Sequence, residues 1–195
     1  MIILDVEILK AIPPKPTQRR EPGIEYCAGW RDFENMGVTV CCTYELETHL
    51  SRAFLLEDLP DLQTYLAGKP TSGFNTRRFD LPLLACHGVT VDQAQHYDVL
   101  EAIWVAQGLD PDHFVLATHG GWSLDAVCEE TLHHKKSGNG ALAPMWWQKG
   151  QRGRVIDYCL RDVWLEAKLL QHAIDFGVVG VGWAQVNLTP PGRLK

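Results

Sequence analysis

The sequence has six cysteines but no Cys-x-x-Cys pair. Most of them lie in apolar segments, so we predict reduced thiols in the core rather than zinc ligands or disulfides. No run of about 18 apolar residues is present, and we therefore expect no membrane span. Asp5 and Glu7 interrupt the apolar run of residues 1–10. We expect no signal peptide there, and a cytoplasmic protein.

The composition is that of a globular protein. The chain has 195 residues, of which 46% are hydrophobic and 22% are charged. A chain of this length buries roughly 70% of its unfolded surface and fits one domain of α/β or α+β type. We predict a domain over residues 1–177, followed by a strand or hairpin and a loose tail over residues 178–195.

Charge is unevenly distributed along the chain. The net charge is −6, which taken alone argues against a nucleic-acid partner. Yet three windows, residues 10–20, 77–78 and 133–154, hold 11 of the 18 Lys and Arg residues and no Asp or Glu. A basic lining on an acidic body is what a nucleic-acid channel needs.

The N-terminal segment alternates like a strand. In residues 1–8 the apolar residues at even positions face one way, whereas Ile3, Asp5 and Glu7 face the other. The two carboxylates are then about 7 Å apart on one face, although an edge strand with a solvated acidic face gives the same pattern. Residues 11–23 contain four prolines and are predicted as a loop, and residues 24–30 and 36–44 as the next two strands.

The middle of the chain alternates short helices and strands. We predict a helix at 59–66, a strand at 71–74, a helix from Phe79, a strand at 96–99 and helices at 99–107 and 123–132. Asp80 lies at the start of its helix, where it either caps the helix or serves the site. For Asp98 we favour N-capping over catalysis.

Residues 154–174 have the period of a long helix with two apolar faces. One stripe consists of Ile156, Leu160, Val163, Ala167, Leu170 and Ile174. The opposite side carries Val155, Tyr158, Leu165 and Leu169, with Asp162 among them, and the wet sector holds Asp157, Arg161 and Lys168. A carboxylate in such surroundings is partly desolvated and needs a cation or a proton.

Four acids lie on or beside apolar elements without a basic partner in sequence, namely Asp5, Glu7, Asp80 and Asp162. Such acids cannot cluster as bare charges. Two hard divalent ions, Mg²⁺ or Mn²⁺, would resolve the repulsion and would bind the attacking and leaving oxygens of a phosphodiester.

Three segments carry a family resemblance. LDVEI at 4–8, NTRRFDLPLL at 75–84 and YCLRD at 158–162 resemble, in that order, the exonuclease motifs of the DEDDy branch of the DnaQ-like, RNase H-like 3′-5′ exonucleases. SLDAVCEETL at 123–132 is similar to a further helix of that group. The resemblance covers roughly residues 1–172 and implies an α/β fold with a mixed five-stranded sheet flanked by helices.

The resemblance also implies roles for individual residues. Asp5, Glu7 and Asp162 would bind the first metal ion, Asp5 and Asp80 the second, and Tyr158 would orient the attacking water. The substrate would be the 3′ end of single-stranded DNA or RNA, with DNA favoured. The predicted contacts to it are Asn75, Arg77, Arg78, Phe79, Lys135, Lys136, Lys149 and Arg152. The proline-rich loop 11–23 is longer than the corresponding family hairpin, so no role transfers to it.

Two alternatives stay open at this stage. An oligoribonucleotide or RNA 3′ exonuclease would use the same metals, and no short motif senses a 2′-hydroxyl. A relative without catalytic activity that binds single strands would keep the fold but lose at least one acid. The tandem Trp146-Trp147 fits base stacking, although most tryptophans serve packing.

Overall fold

The computed structural model describes residues 1–134 and 138–192. Its central element is a mixed five-stranded sheet in the order β3-β2-β1-β4-β5. Strand β2 is antiparallel to its neighbours β1 and β3, and β4 is parallel to its neighbours β1 and β5. The strands are β1 (Ile2–Ile8), β2 (Val38–Glu45), β3 (Leu50–Leu55), β4 (Thr71–Gly73) and β5 (His96–Asp98), with a separate hairpin of β6 (Val178–Val181) and β7 (Ala184–Asn187). The predicted α/β class and the five-stranded mixed sheet are confirmed.

Helices cover both faces of the sheet. They are α1 (Phe33–Met36), α2 (Leu59–Leu66), α3 (Asp80–Cys86), α4 (Val99–Ala106), α5 (Leu116–His119), α6 (Leu124–Leu132), α7 (Ala143–Gln148) and α8 (Arg152–Phe176). α2 and α3 pack on one face against Ile2, Leu4 and Val6. α4, α6 and α8 pack with the β6–β7 hairpin on the other face, where Ile3 belongs to the core. The predicted alternation of β1 is therefore correct.

The second predicted strand, at residues 24–30, is wrong. That segment makes only an isolated parallel bridge between Ala11 and Tyr26. Its alternation resembles a strand, but β2 and β4 are the neighbours of β1, and beyond the end of β4 the Asp80 side chain occupies the remaining edge of β1. The strand that completes the sheet is β3, whose exposed and half-exposed residues form an edge.

The long helix is confirmed and extends slightly beyond the prediction. Both apolar faces are covered, because Val155, Leu165 and Leu169 are as buried as Val163 and Leu170. The predicted wet sector of Asp157, Arg161 and Lys168 is exposed. No helix within residues 1–134 and 138–192 has the length and hydrophobicity of a membrane-spanning segment.

The predicted strand or hairpin after residue 177 is a hairpin. It packs on α6, where the Gly180 backbone N–H donates to Thr131 Oγ1 at 2.9 Å. Five of the six cysteines are buried, which agrees with their predicted place in the core, whereas Cys86 is exposed.

Candidate metal centre

Three of the predicted acids meet between β1 and α8. Asp5 and Glu7 point from the face of β1 that α8 covers, and Asp162 lies in the middle of α8. One carboxylate oxygen from each lies within 4.8 Å of the others. The Cys159 thiol, which donates to the Asp5 carbonyl oxygen at 3.5 Å, packs α8 against the strand at this point.

The fourth acid, Asp80, lies on the other side of β1. Strand β4 ends at Gly73, so beyond that point the edge of β1 has no strand partner. Asp80 takes that place, because its Oδ1 accepts from the Val6 backbone N–H at 3.0 Å. Asp80 is the first residue of α3, whose N-cap Phe79 makes no side-chain bond, so the Asp80 carboxylate joins the start of that helix to β1. Burial and the nearby Asp5 carboxylate raise the pKa of Asp80 well above its usual value.

The geometry fits a hard divalent ion. Two oxygens bound at about 2.0–2.4 Å to one ion lie at most roughly 4–5 Å apart, which matches the separation within the Asp5, Glu7 and Asp162 cluster. Glu7 and Asp162 are buried, so assembling these carboxylates leaves concentrated negative charge in a poorly solvated place. An oxygen-only donor set of this kind suits Mg²⁺ or Mn²⁺ rather than zinc or copper.

Asp98 organises the turn that precedes Asp80. Its Oδ1 accepts from the backbone N–H groups of Asn75, Leu100 and Glu101, at 3.0, 3.0 and 3.2 Å. Its Oδ2 accepts from the Arg77 backbone N–H at 2.9 Å. The predicted N-cap is thus confirmed, and the same carboxylate also holds Asn75 in a left-handed conformation with φ of 65°.

The two arginines of the second motif are bound to the protein. The Arg77 guanidinium pairs with Glu101 at 2.9 Å and donates to the backbone carbonyl of His96 at 2.6 Å. Arg78 donates to the Pro111 carbonyl at 2.6 Å and lies over the rings of Trp104 and Phe114. Both still border the cleft described below, and their predicted contacts to nucleic acid stay a prediction.

The remaining predicted contacts are distributed around this region. Phe79 packs edge-on against Trp30 and Phe33, each with ring centroids 6.0 Å away. Lys149 pairs with Glu21, and the Arg152 guanidinium lies over the Trp147 ring. Lys135 and Lys136 lie outside the described residues.

Tyr158 is enclosed one turn before Asp162. It is buried, and its ring packs edge-on against Trp146 with centroids 6.0 Å apart. Glycines at 138 and 140 allow the neighbouring loop to approach, because a Cβ at Gly140 would lie 3.3 Å from the Tyr158 hydroxyl oxygen. The hydroxyl therefore lies at the boundary between α8 and this loop.

A cleft of about 1400 Å³ opens beside the acids. Asp5 and Asn75 contribute to its wall, and many of its other side chains are aromatic. The aromatic residues are Trp30, Phe33, Phe74, Phe79, Trp104, Phe114 and Trp122. The cleft therefore offers ring faces and carboxylates to the same bound molecule.

Comparison of the chain with protein-family models and with curated proteins finds no match. Its function is therefore inferred from its own residues and their geometry.

Glu166 is a site residue that the sequence analysis missed. It is buried, borders the same cleft as Asp5, and follows Asp162 by one turn of α8. The available signal was the spacing of four, because Tyr158, Asp162 and Glu166 continue one stripe along a helix.

Proposed function

We propose that the protein is a metal-dependent 3′-5′ exonuclease that hydrolyses phosphodiester bonds at the 3′ end of a single strand, with DNA favoured over RNA. The observation that carries the proposal is the set of Asp5, Glu7 and Asp162 oxygens within 4.8 Å of one another, beside a cleft of about 1400 Å³. The three resembling motifs supply the direction of hydrolysis. Because all six cysteines are free thiols, we place the activity in a reducing compartment such as the cytosol.

The residues of the site have different roles in the proposed reaction. Asp5, Glu7 and Asp162 would hold one ion, and Asp80, whose pKa is raised by burial and by the nearby Asp5 carboxylate, would help to hold a second. Bound Mg²⁺ or Mn²⁺ supplies Lewis acidity and an acidified water. A phenol has a reference pKa of about 10, so Tyr158 would orient the attacking water by hydrogen bonding rather than act as a strong base.

The cleft suits unpaired bases. Base stacking on an aromatic ring contributes about 1–3 kcal/mol and does not depend on the base. Trp30, which is 68% exposed at the cleft, and the neighbouring Phe79 present such rings close to the start of α3, where Asp80 lies. Paired bases in a duplex cannot offer their faces in this way, so a single-stranded end is the favoured substrate.

Two observations support catalysis over binding alone. All four acids are present, and three of them are assembled with oxygens facing one another. A protein that only binds strands gains nothing from concentrating negative charge beside a phosphate backbone. An oligoribonucleotide substrate would use the same acids, and the experiment below distinguishes it from a DNA substrate.

The test is digestion of matched DNA and RNA oligonucleotides labelled at the 5′ end. With Mg²⁺ or Mn²⁺ we expect stepwise shortening from the 3′ end, abolished by EDTA and by Asp5→Ala. Asp157→Asn is the matched control, because Asp157 lies exposed on α8 and pairs with Arg161 at 3.0 Å. Loss of the 5′ label first, or cleavage that persists in EDTA, would refute the proposal.

A further inference from the structure

A basic surface lies outside the cleft. It is formed by the proline-rich excursion of residues 12–24 and the junction between α7 and α8, and we call it the basic surface. Its cations are all exposed. They are Lys15, Arg19, Arg20, Lys149, Arg152 and Arg154.

The excursion is fixed to α7 at both ends. The Gln148 side-chain amide donates to the Leu9 carbonyl at 2.9 Å and to the Glu25 carbonyl at 3.1 Å, and its oxygen accepts from the Glu25 N–H at 2.7 Å. The backbone of Ala11 pairs with that of Glu25 and Cys27, at 3.0 Å each. These bonds place the excursion beside the C-terminal end of α7, next to Lys149.

Most of the excursion is exposed to solvent and does not pack into the core. Residues 15–23 are exposed, and its four prolines restrict φ, which lowers the entropy lost when a ligand binds. Arg20 lies over the Tyr26 ring, and Glu21 pairs with Lys149, the residue that follows α7. Among the described residues, Lys15 and Arg19 make no ion pair.

The charge balance here is opposite to that of the whole chain. Residues 12–25 and 149–154 contain six Lys and Arg but only two Glu, whereas the chain carries a net charge of −6. Arg152 and Arg154 also lie in the first turn of a 25-residue helix that has no acid there. Cations at a helix N-terminus oppose the helix dipole, so this placement costs stability that a bound anion would offset.

The basic surface adjoins the candidate site. The Arg154 guanidinium lies 3.8 Å from the centroid of the Trp146 ring, and that ring packs edge-on against Tyr158. Leu9, which accepts a hydrogen bond from Gln148, follows Glu7 by two residues on the same chain segment. A strand with its 3′ end at the acids can therefore continue across Trp146 onto these cations.

We propose that the basic surface binds the phosphate backbone of the substrate strand upstream of its 3′ end. This inference rests on the proposed exonuclease function, and it assigns to the proline-rich excursion the role of a strand-holding arm. The contacts are to phosphates, so the binding is independent of base sequence and sensitive to salt. Its consequence is a preference for long strands over short ones.

The test compares two double variants. Lys15→Gln with Arg19→Gln removes two exposed cations of the arm. Arg52→Gln with Lys69→Gln is the matched control, because both cations lie over Tyr65, which packs with the core on the opposite face of the sheet from α8. Fluorescence anisotropy with labelled single strands of about 5 and about 25 nucleotides is measured in EDTA across a salt series, so that binding is read without cleavage.

We expect the arm variant to bind the long strand roughly 10- to 30-fold more weakly at 0.1 M salt. The log-log salt slope should become shallower by about 1.4, which is 0.7 for each cation on a single strand. The ratio of kcat/KM for the long strand to that for the short strand should fall similarly. The control variant should keep the parent affinity and slope.

Other outcomes overturn the inference. If the arm variant keeps the parent affinity and slope for the long strand, the excursion does not bind the backbone. If both double variants weaken binding equally, the effect is one of overall charge and the arm has no special role. Failure of the proposed function is distinguishable, because the parent protein would then shorten no strand in Mg²⁺ or Mn²⁺ whatever the variants do.

Discussion

Asp98 is a buried acid, as are Glu7 and Asp162 of the cluster with Asp5, but the carboxylate oxygens of Asp98 and of the cluster have different surroundings. Asp98 accepts from four backbone N–H groups and from the Thr76 hydroxyl, the last at 3.3 Å. In the cluster, by contrast, carboxylate oxygens from three residues lie within 4.8 Å of one another. A carboxylate surrounded by donors stabilises the fold, whereas carboxylates that face each other create a place for a cation.

This difference shows that burial alone does not identify a functional acid. Asp98 and Asp162 are 4% and 2% exposed, and exposure therefore cannot separate them. Their surroundings predict opposite phenotypes. Substitution in the cluster should remove activity and leave the fold, and substitution at Asp98 should weaken the fold first.

The largest expected effect is on the rate of the Asp162→Asn variant. A lost metal ligand removes several kcal/mol of transition-state stabilisation, so we expect a fall on the order of 10³-fold in single-turnover cleavage. Calorimetric titration should show weaker Mn²⁺ binding, while the unfolding free energy without metal stays at or above the parent value, because one of several neighbouring charges is gone. Cleavage at the parent rate by this variant would mean that Asp162 is not required as a metal ligand.

Tyr158→Phe is expected to separate water orientation from metal binding. It keeps the ring that packs on Trp146 and removes only the hydroxyl, so the rate should fall by about 10²–10⁴-fold with unchanged metal affinity. Tyr44→Phe is the matched control, since Tyr44 is also buried and its hydroxyl bonds His49 Nδ1 at 3.1 Å, at the position of β2 that pairs with Ile3. If Tyr158→Phe cleaves at the parent rate, Tyr158 is a packing residue only.

Asp98→Ala should show the opposite pattern. It leaves several buried backbone N–H groups without their acceptor, and we expect the free energy of unfolding to fall by about 3–5 kcal/mol. Urea unfolding of Asp98→Ala beside Asp162→Asn measures the contrast directly. Equal stability of the two variants would mean that the donors around Asp98 find other acceptors.

The sequence predicted those elements whose pattern is set by their own residues. The alternation of β1 placed Asp5 and Glu7 on one face, and the period of α8 placed Tyr158 and Asp162 one turn apart, both as observed. The bounds of α2 were predicted to the residue, because Gly68 and Pro70 end it. The capping role of Asp98 was also readable, since it precedes an apolar helix.

Features that depend on distant partners were not readable. Residues 24–30 alternate like a strand, but strand formation depends on a free neighbouring edge, which sequence does not show. The engagement of Arg77 by Glu101 and by the His96 carbonyl joins elements about 20 residues apart. Glu166 was overlooked because a single acid in a charged helix usually faces water, and only the fold places it at the cleft.

The smallest expected effect concerns His96, which is part of the hydrogen-bond network around Asp98. His96 Nδ1 lies 2.8 Å from Thr71 Oγ1, and Nε2 lies 2.7 Å from Thr76 Oγ1. Because the Thr76 hydroxyl donates to Asp98, it accepts from Nε2–H, and the ring is neutral with Nδ1 as acceptor. Burial, followed by the charge of Arg77, lowers the pKa of His96 to about 4.

A lowered histidine pKa makes the fold sensitive to acid. Between pH 6.5 and about 4 the unfolded chain takes up a proton that the folded protein refuses, so stability falls as the pH falls through this window. From pH 7 to pH 4.5 the loss amounts to about 2 kcal/mol. Urea unfolding at both pH values should show His96→Gln losing about 2 kcal/mol less than the parent over this interval. An equal loss of unfolding free energy in both proteins would mean that His96 takes up its proton in the folded protein as readily as in the unfolded chain. The network around Asp98 would then contain a charged imidazolium beside the carboxylate.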